Sequence, residues 1–280
     1  MGRVPERNFG QLSRIRLPPV DFGALRAYTA FQSGKESNGM TSASGPTSFN
    51  CALFDAGLTL IQPVNTIEKI YAAYAEQSGI PLEELVVMIR RHFGALFDQE
   101  RKIMAAGQDG YVWSDELDRQ MWKRLCFAVA DAVPGLTADP QAWYEQLYHH
   151  FGQVDTWRPF PETMKTLTGL RGRGVKLGVV SNWDSRLPSI LEAQGISPLL
   201  DTVVVSAIDG VRKPGARIFE LALERLGVES AQTIMVGDSV TDDVEGAARA
   251  GLRGVLVHRG RTPPPSGIAV IRGLDELLDW

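Results

Sequence analysis

From Phe49 onward, short apolar runs of strand length recur: Cys51–Phe54, Lys176–Val180, Thr202–Ser206, Thr233–Val236, Gly254–His258 and Ile268–Ile271. Most are continuous in Val, Ile and Leu instead of alternating with polar residues, which is the pattern of strands buried on both faces. Between them lie segments with the 3.6-residue period of helices: Glu162–Arg173, Ser185–Gln194, Ala216–Leu226 and Asp243–Ala250. Gly195, Gly227 and Gly251 stand just past helix ends, where a left-handed cap residue is expected. Strand and helix in alternation predict an α/β fold with a doubly wound parallel sheet.

About a hundred residues between the first strand and Glu162 carry no strand-like run. Thr66–Gln77, Leu82–Ala105, Ser114–Ala130 and Asp139–Phe151 read as amphipathic helices, with Pro81, Pro134 and Pro140 at the joints and Ser114 and Asp139 as N-caps. An inserted four-helix cap directly after the first strand would stand above the carboxyl ends of the strands, where open α/β sheets bind ligands. The expected division is a core of residues 49–62 and 156–280 and a helical cap of residues 63–155. Residues 1–48 differ. They hold six basic residues against three acidic ones, lack any sustained period and end in a Ser/Gly/Thr-rich stretch. They are expected to be a disordered extension, an organellar transit segment, or the product of a misassigned start with Met40 as the true first residue.

Composition narrows the function classes. Of 280 residues, 44% are apolar and 22% charged, which excludes collagen-like, fully disordered and disulfide-scaffold chains. No run approaches the ~18 apolar residues of a membrane-spanning helix. A net charge of −4 argues against a general nucleic-acid binder. Cys51 and Cys126 are too few for a disulfide framework or a four-cysteine zinc site; they suit buried packing in a reducing cytoplasm.

The chemistry lies in the loops at the strand ends. The first strand runs into Asp55-Ala56-Gly57-Leu58-Thr59, and the second ends in Ser181-Asn182-Trp183-Asp184. Val211-Arg212-Lys213-Pro214 comes after the third, and Gly237-Asp238-Ser239-Val240-Thr241-Asp242-Asp243 after the fourth. Adjacent parallel strands are ~4.8 Å apart, so these residues share one crevice. Asp55 and Asp238 suit a hard divalent ion such as Mg²⁺, which takes carboxylate oxygens together with phosphate oxygens and water. Lys213 supplies positive charge for an anionic substrate and a nucleophilic carboxylate. Ser181 and Asn182 can donate hydrogen bonds to phosphoryl oxygens.

Together these four segments, in this order and spacing, resemble the haloacid dehalogenase superfamily over about residues 50–260. The resemblance implies a Rossmann-like core with a helical cap, and a small phosphorylated or otherwise anionic metabolite as substrate. It makes Asp55 the nucleophile and a metal ligand, has Ser181 bind the transferred group, and has Lys213 stabilise nucleophile and phosphoryl charge. It has Asp238 hold the metal, and Asp243 serve as the second acid that orients Lys213 or a metal-bound water.

One position departs from that pattern. Phosphatases of the superfamily usually carry a second aspartate, the general acid/base, two residues after the nucleophile. Here that residue is Gly57, and Leu58 stands where a glycine is common. The Gly57 carbonyl can still serve a metal, but glycine moves no proton, a loss of ~10²–10⁴-fold. The expected activity is therefore Mg²⁺-dependent hydrolysis of a phosphomonoester or acyl phosphate through an aspartyl-phosphate on Asp55, weakened by the missing acid. The alternatives are a catalytically weakened binding or regulatory protein, and 2-haloacid dehalogenase-type hydrolysis of a carbon–halogen bond.

Other residues carry plainer readings. His149 and His150 are expected to cap the last carbonyls of a cap helix, and His92 and His258 have no partner pattern. Tyr71, Tyr74, Phe93 and Phe97 fall at helical spacing and suit packing within the cap. Arg90-Arg91 form a solvated face or reach a substrate anion. Trp183 and Asp184 suit either substrate contact or packing.

Overall fold

The computed structural model describes residues 49–75, 79–106, 112–260 and 263–280. The expectations for residues 1–48, and for the end of the first cap helix at Gln77, lie outside these. Strands β1 (Cys51–Phe54), β4 (Lys176–Ser181), β5 (Thr202–Val205), β6 (Thr233–Gly237), β7 (Arg253–Val257) and β8 (Ala269–Ile271) form one parallel sheet in the order β5-β4-β1-β6-β7-β8. The chain moves outward from β1 through β4 to β5, then crosses back to β6, β7 and β8. This makes β1 the point where strand order reverses, the place where a crevice opens at the carboxyl ends.

Both faces of the sheet are covered. Helices α5 (Thr163–Gly172) and α6 (Leu187–Ala193) pack through Leu167, Leu170, Ile190 and Leu191 on the face that carries Ala52 and Phe54. On the other face, α8 (Ala216–Leu226) sets Ile218, Phe219 and Ala222 against Cys51 and Leu53. Successive β1 residues thus point to opposite apolar layers, which is why the run shows no alternation. Two short helices, α7 (Ser206–Asp209) and α9 (Gly246–Arg249), complete the core. Helix α8 ends at Gly227 with φ 60°, a left-handed cap that a side chain would resist.

Between β1 and α5 stand α1 (Ile67–Ala73), α2 (Leu82–Ala106), α3 (Asp115–Ala132) and α4 (Pro140–Phe151). They enclose an apolar cluster of their own around Ile70, Tyr71, Leu85, Ile89, Leu125, Trp143 and Leu147. Ser114 caps α3 by accepting from Leu117 N, and Asp139 caps α4 by accepting from Gln141 N and Ala142 N. The Tyr71 ring meets Phe93 and Trp143 edge-on at 5.3 and 5.5 Å. Arg90 pairs with Glu68 at 3.0 Å on an exposed face. No described helix is long and apolar enough to cross a membrane.

Two features differ from the sequence reading. The segment expected to hold no strand enters through β2 (Ile61–Pro63) and leaves through β3 (Trp157–Pro159), paired antiparallel with Ile61 opposite Pro159. Three-residue strands that contain Pro63 and Pro159 are too short to display a period. The helix expected over Asp243–Ala250 is regular only at α9. A wide π-type turn, Val240–Glu245, precedes it, because the Asp243 carboxylate is drawn inward. Such turns are rare and cluster at functional sites.

Both cysteines are free and buried. Desolvation pushes the Cys51 thiol up to about 11 and the Cys126 thiol up to about 12, so both are packing groups and not reactive thiols.

Candidate active site

The crevice is assembled from the ends of β1, β4 and β6 and the loop between α7 and α8. Asp55 leaves β1 with its N–H donating to Val236 O at 2.9 Å, which ties the turn to β6. Ser181, the last residue of β4, donates from Oγ to Asp55 Oδ1 at 2.9 Å. Lys213 Nζ donates to Asp55 Oδ1 at 2.7 Å and to Asp243 Oδ1 at 2.6 Å. Ser239 N donates to Asp243 Oδ2 at 2.9 Å, and Ser239 Oγ accepts from Asp242 N and caps the wide turn. Lys213 is only 2% exposed and Asp243 1%, so the ammonium is a fixed internal counter-ion.

Gly237 makes this geometry feasible, although the sequence assigned it no task. A Cβ there would lie 2.2 Å from Asp243 Cγ. Only a residue without a side chain lets the Asp243 carboxylate fold back against the end of β6.

One oxygen each of Asp55, Asp238 and Asp243 lie within 4.8 Å of one another. Three carboxylates face one ammonium, so the cluster is short of positive charge. Desolvation by the crevice walls, then the charges of Asp55 and Asp243, raise the Asp238 carboxyl above the ordinary carboxylate range, although its side chain is exposed at the mouth of the crevice. Burial also raises Asp243, to about 6, against the opposing pull of Lys213. Burial disfavours the Lys213 charge, yet Asp243 and then Asp55 outweigh it and hold its pKa above the ordinary lysine value. Hard carboxylate oxygens in a cluster with more negative than positive charge suit Mg²⁺ in donor type and charge.

The second strand-end segment also reaches the lysine loop. Both polar ends of the Asn182 amide are on the Lys213 backbone: Oδ1 accepts from Lys213 N at 2.8 Å, and Nδ2 donates to Lys213 O at 3.0 Å. Asn182 thus holds the lysine loop, and one of its two Nδ2 protons is not used by these bonds. Asp184 pairs with Arg186, whose guanidinium lies 3.9 Å from the Tyr148 ring centroid. Gly57 has no left-handed backbone; the positive φ in this turn belongs to Leu58, at 56°.

A buried polar network beside the crevice had no sequence signature. Trp113 N donates to Gly210 O at 3.0 Å, and the Arg212 guanidinium stacks 3.9 Å from the Trp113 ring. Trp113 Nε1 donates to Asp118 Oδ1 at 3.2 Å, and Asp118 Oδ2 is buried without a hydrogen-bond partner. In sequence Asp118 is one of three first-turn acids on α3 and looks like a surface residue. Burial and then Asp184 raise its carboxyl to about 7. The unfolded value is about 3.9, so between about pH 4 and 7 the native state holds a proton that the unfolded chain releases. Stability should therefore fall as pH rises through that window. Asp118→Asn is expected to remove this slope and to be more stable than wild type by on the order of 2 kcal/mol near pH 8, with little difference near pH 4. Urea melts of both proteins at the two pH values check this; parallel stabilities would contradict it.

A carboxylate held by a buried lysine at the switch point of a parallel sheet, with two further carboxylates in reach, defines a hydrolase-type α/β site. The family model described as haloacid dehalogenase-like hydrolase matches residues 49–251, and the chain belongs to that family. Haloacid dehalogenase-like hydrolase domain-containing protein 3 of Mus musculus is 34% identical over 219 residues, which span 77% of this chain and 84% of that protein. A glyceraldehyde 3-phosphate phosphatase of Methanothermobacter thermautotrophicus is 38% identical over 124 residues, 42% of this chain and 53% of that protein. Among solved structures, an L-2-haloacid dehalogenase superposes with a TM-score of 0.62 at 26% identity, covering 83% of this chain and 98% of the other.

Proposed function

We propose that this chain is a Mg²⁺-dependent phosphohydrolase that acts on a small phosphorylated metabolite, a phosphomonoester or acyl phosphate, through an aspartyl-phosphate on Asp55. The observation that carries this reading is the convergence of Ser181 and Lys213 on Asp55 Oδ1 beside the Asp238 and Asp243 carboxylates. Oδ1 is held, which orients the carboxylate to present Oδ2 to phosphorus. Oδ2 forms the new bond, and the bond from phosphorus to the leaving oxygen breaks with its electron pair on that oxygen. Water then attacks phosphorus, and the bond from phosphorus to Asp55 Oδ2 breaks with its electron pair on Oδ2. Inorganic phosphate leaves while the water's proton passes to the released leaving-group oxygen or to solvent. Lys213 offsets charge on the nucleophile, Asp243 and Asn182 fix Lys213, and Ser181 turns its hydroxyl from Asp55 Oδ1 to a phosphoryl oxygen when substrate is bound. Mg²⁺, held by Asp55, Asp238 and the Gly57 carbonyl with Asp243 behind them, would supply charge neutralisation for the phosphoryl group.

The helices of residues 63–155 form the cap in this reading, joined to a core of residues 49–62 and 156–280 through the β2–β3 pair. The free buried thiols suit a reducing compartment such as the cytoplasm. The phosphatase among the relatives supports the substrate class.

Turnover on a panel of phosphate esters with and without Mg²⁺ tests the reading. Asp238→Ala is expected to raise the Mg²⁺ concentration for half-maximal activity at least tenfold, or to abolish turnover. Unchanged Mg²⁺ dependence in that variant would remove Asp238 from the metal site. A second reading, carbon–halogen hydrolysis, draws on Gly57 and on the dehalogenase-like fold. Full activity in EDTA with halide release from 2-haloacids would establish it in place of the first.

A further inference from the structure

Gly57 lies two residues beyond Asp55 on the same turn, and its backbone could carry a side chain, since its φ is not left-handed. The space beside it is tight on one side. A Cβ at Gly57 would stand 3.0 Å from Trp183 Cζ3, 3.8 Å from Cη2 and 3.9 Å from Cε3, all in the six-membered ring of the indole. Trp183 itself follows Ser181 by two residues, so the ring sits where the β1 and β4 ends meet.

Trp183 is tied to its neighbours through its backbone and through one ring contact. Trp183 N donates to Ser206 Oγ at 3.0 Å, and Trp183 O accepts from Ser206 Oγ at 3.0 Å and from Ala207 N at 3.1 Å. Its ring meets Trp157 edge-on at 4.7 Å, and Trp157 Nε1 is anchored on Phe151 O at 3.0 Å. The Lys213 ammonium donates to two carboxylates and the Ser181 hydroxyl to Asp55 itself, and Asp238 would be a carboxylate when it holds Mg²⁺. A departing alkoxide, a strong base, would find an apolar ring where a proton donor is needed.

We propose that Trp183 sets the leaving-group specificity of this site. Its indole fills the volume of a side chain at position 57 and confines turnover to phosphates whose leaving groups depart unprotonated, as aryl oxides and carboxylates do. It also offers planar leaving groups a ring to pack on. The phosphorus–oxygen bond breaks with its electron pair on a weakly basic oxygen, and no proton is transferred in that step. This inference rests on the phosphohydrolase reading above.

Four proteins test it: wild type, Gly57→Asp, Trp183→Ala and the double variant, each assayed with Mg²⁺ on nitrophenyl phosphate and on glycerol phosphate. Wild type is expected to favour the aryl ester at least ~100-fold in kcat/KM, within the range of a missing general acid. Gly57→Asp alone should lose both activities together, because carboxylate and indole compete for one volume. Trp183→Ala should lose about 3- to 10-fold on the aryl ester, the worth of a ring contact. The double variant should gain about 10- to 100-fold on glycerol phosphate over Trp183→Ala, and so narrow the aryl-to-alkyl ratio. A structural role for Trp183 would lower both rates without moving that ratio. The proposal is overturned if Gly57→Asp alone narrows the ratio as far as the double variant does, or if the double variant keeps the Trp183→Ala ratio. Thermal melts give a readout independent of activity: the Tm drop from Gly57→Asp should be smaller in the Trp183→Ala background, and equal drops would also overturn it. If wild type turns over no phosphate at all, the underlying phosphohydrolase reading fails first and the specificity proposal falls with it.

Discussion

Asp55→Asn is expected to lose turnover by on the order of 10⁴-fold or more while keeping the fold. The substitution is nearly isosteric, and the asparagine carbonyl can still accept from Ser181 and Lys213 as Asp55 Oδ1 does. It also removes one of three crowded carboxylates, so no buried charge loses its partner: Lys213 retains Asp243. The amide is a poor nucleophile and a poor ligand for a hard cation, and both losses act on chemistry alone. The checks are steady-state rates on the best phosphate ester and a thermal melt. Activity within a few-fold of wild type would take Asp55 out of the reaction.

Lys213→Met should be the most destabilising single change at the site, by about 3–5 kcal/mol. The lysine is 2% exposed and lies between Asp55 and Asp243; its removal leaves buried carboxylates without a cation. The cost should depend on pH. In wild type, Lys213 has a raised pKa, so its contribution is fully present below about pH 10 and is lost as pH rises from there through the folded value. Without it, Asp243, already raised by burial, should rise further. Between the unfolded value of about 3.9 and that raised pKa, the variant's native state binds an extra proton, so its stability falls as pH rises. The deficit relative to wild type should therefore be larger at pH 8 than at pH 5. Millimolar Mg²⁺ should raise the Tm of Lys213→Met more than that of wild type, because the cation offsets the same charge. Denaturation curves at the two pH values decide this; a deficit independent of pH would contradict a buried charge pair.

The strands were legible because both faces of the sheet are covered: Ala52 and Phe54 meet one layer, Cys51 and Leu53 the other, and the runs stay apolar throughout. The strand-end residues were legible for the same reason, since parallel neighbours must deliver them to one crevice. The β2–β3 pair escaped because three residues with a proline set no period. The Val240–Glu245 turn reads as the start of a helix, and its wide form accompanies the long-range bonds of Lys213 and Ser239 to Asp243. Asn182 sits in a segment that looks like an anion binder, yet its partner is a backbone far along the chain. The contact of Gly57 with Trp183, the cradle of Gly237 for Asp243 and the burial of Asp118 all depend on tertiary neighbours that local pattern does not encode.

The central claim is that Asp55 accepts a phosphoryl group in a Mg²⁺ site, and beryllium fluoride reports on it directly, since it binds a phosphoryl-accepting carboxylate as a phosphate mimic. Fluorine NMR of the wild-type protein with beryllium fluoride and Mg²⁺ is expected to show bound fluoride resonances that vanish on adding EDTA and are absent in Asp55→Asn. Bound resonances that persist in EDTA or in Asp55→Asn, or none in the Mg²⁺-loaded wild type, would contradict the account.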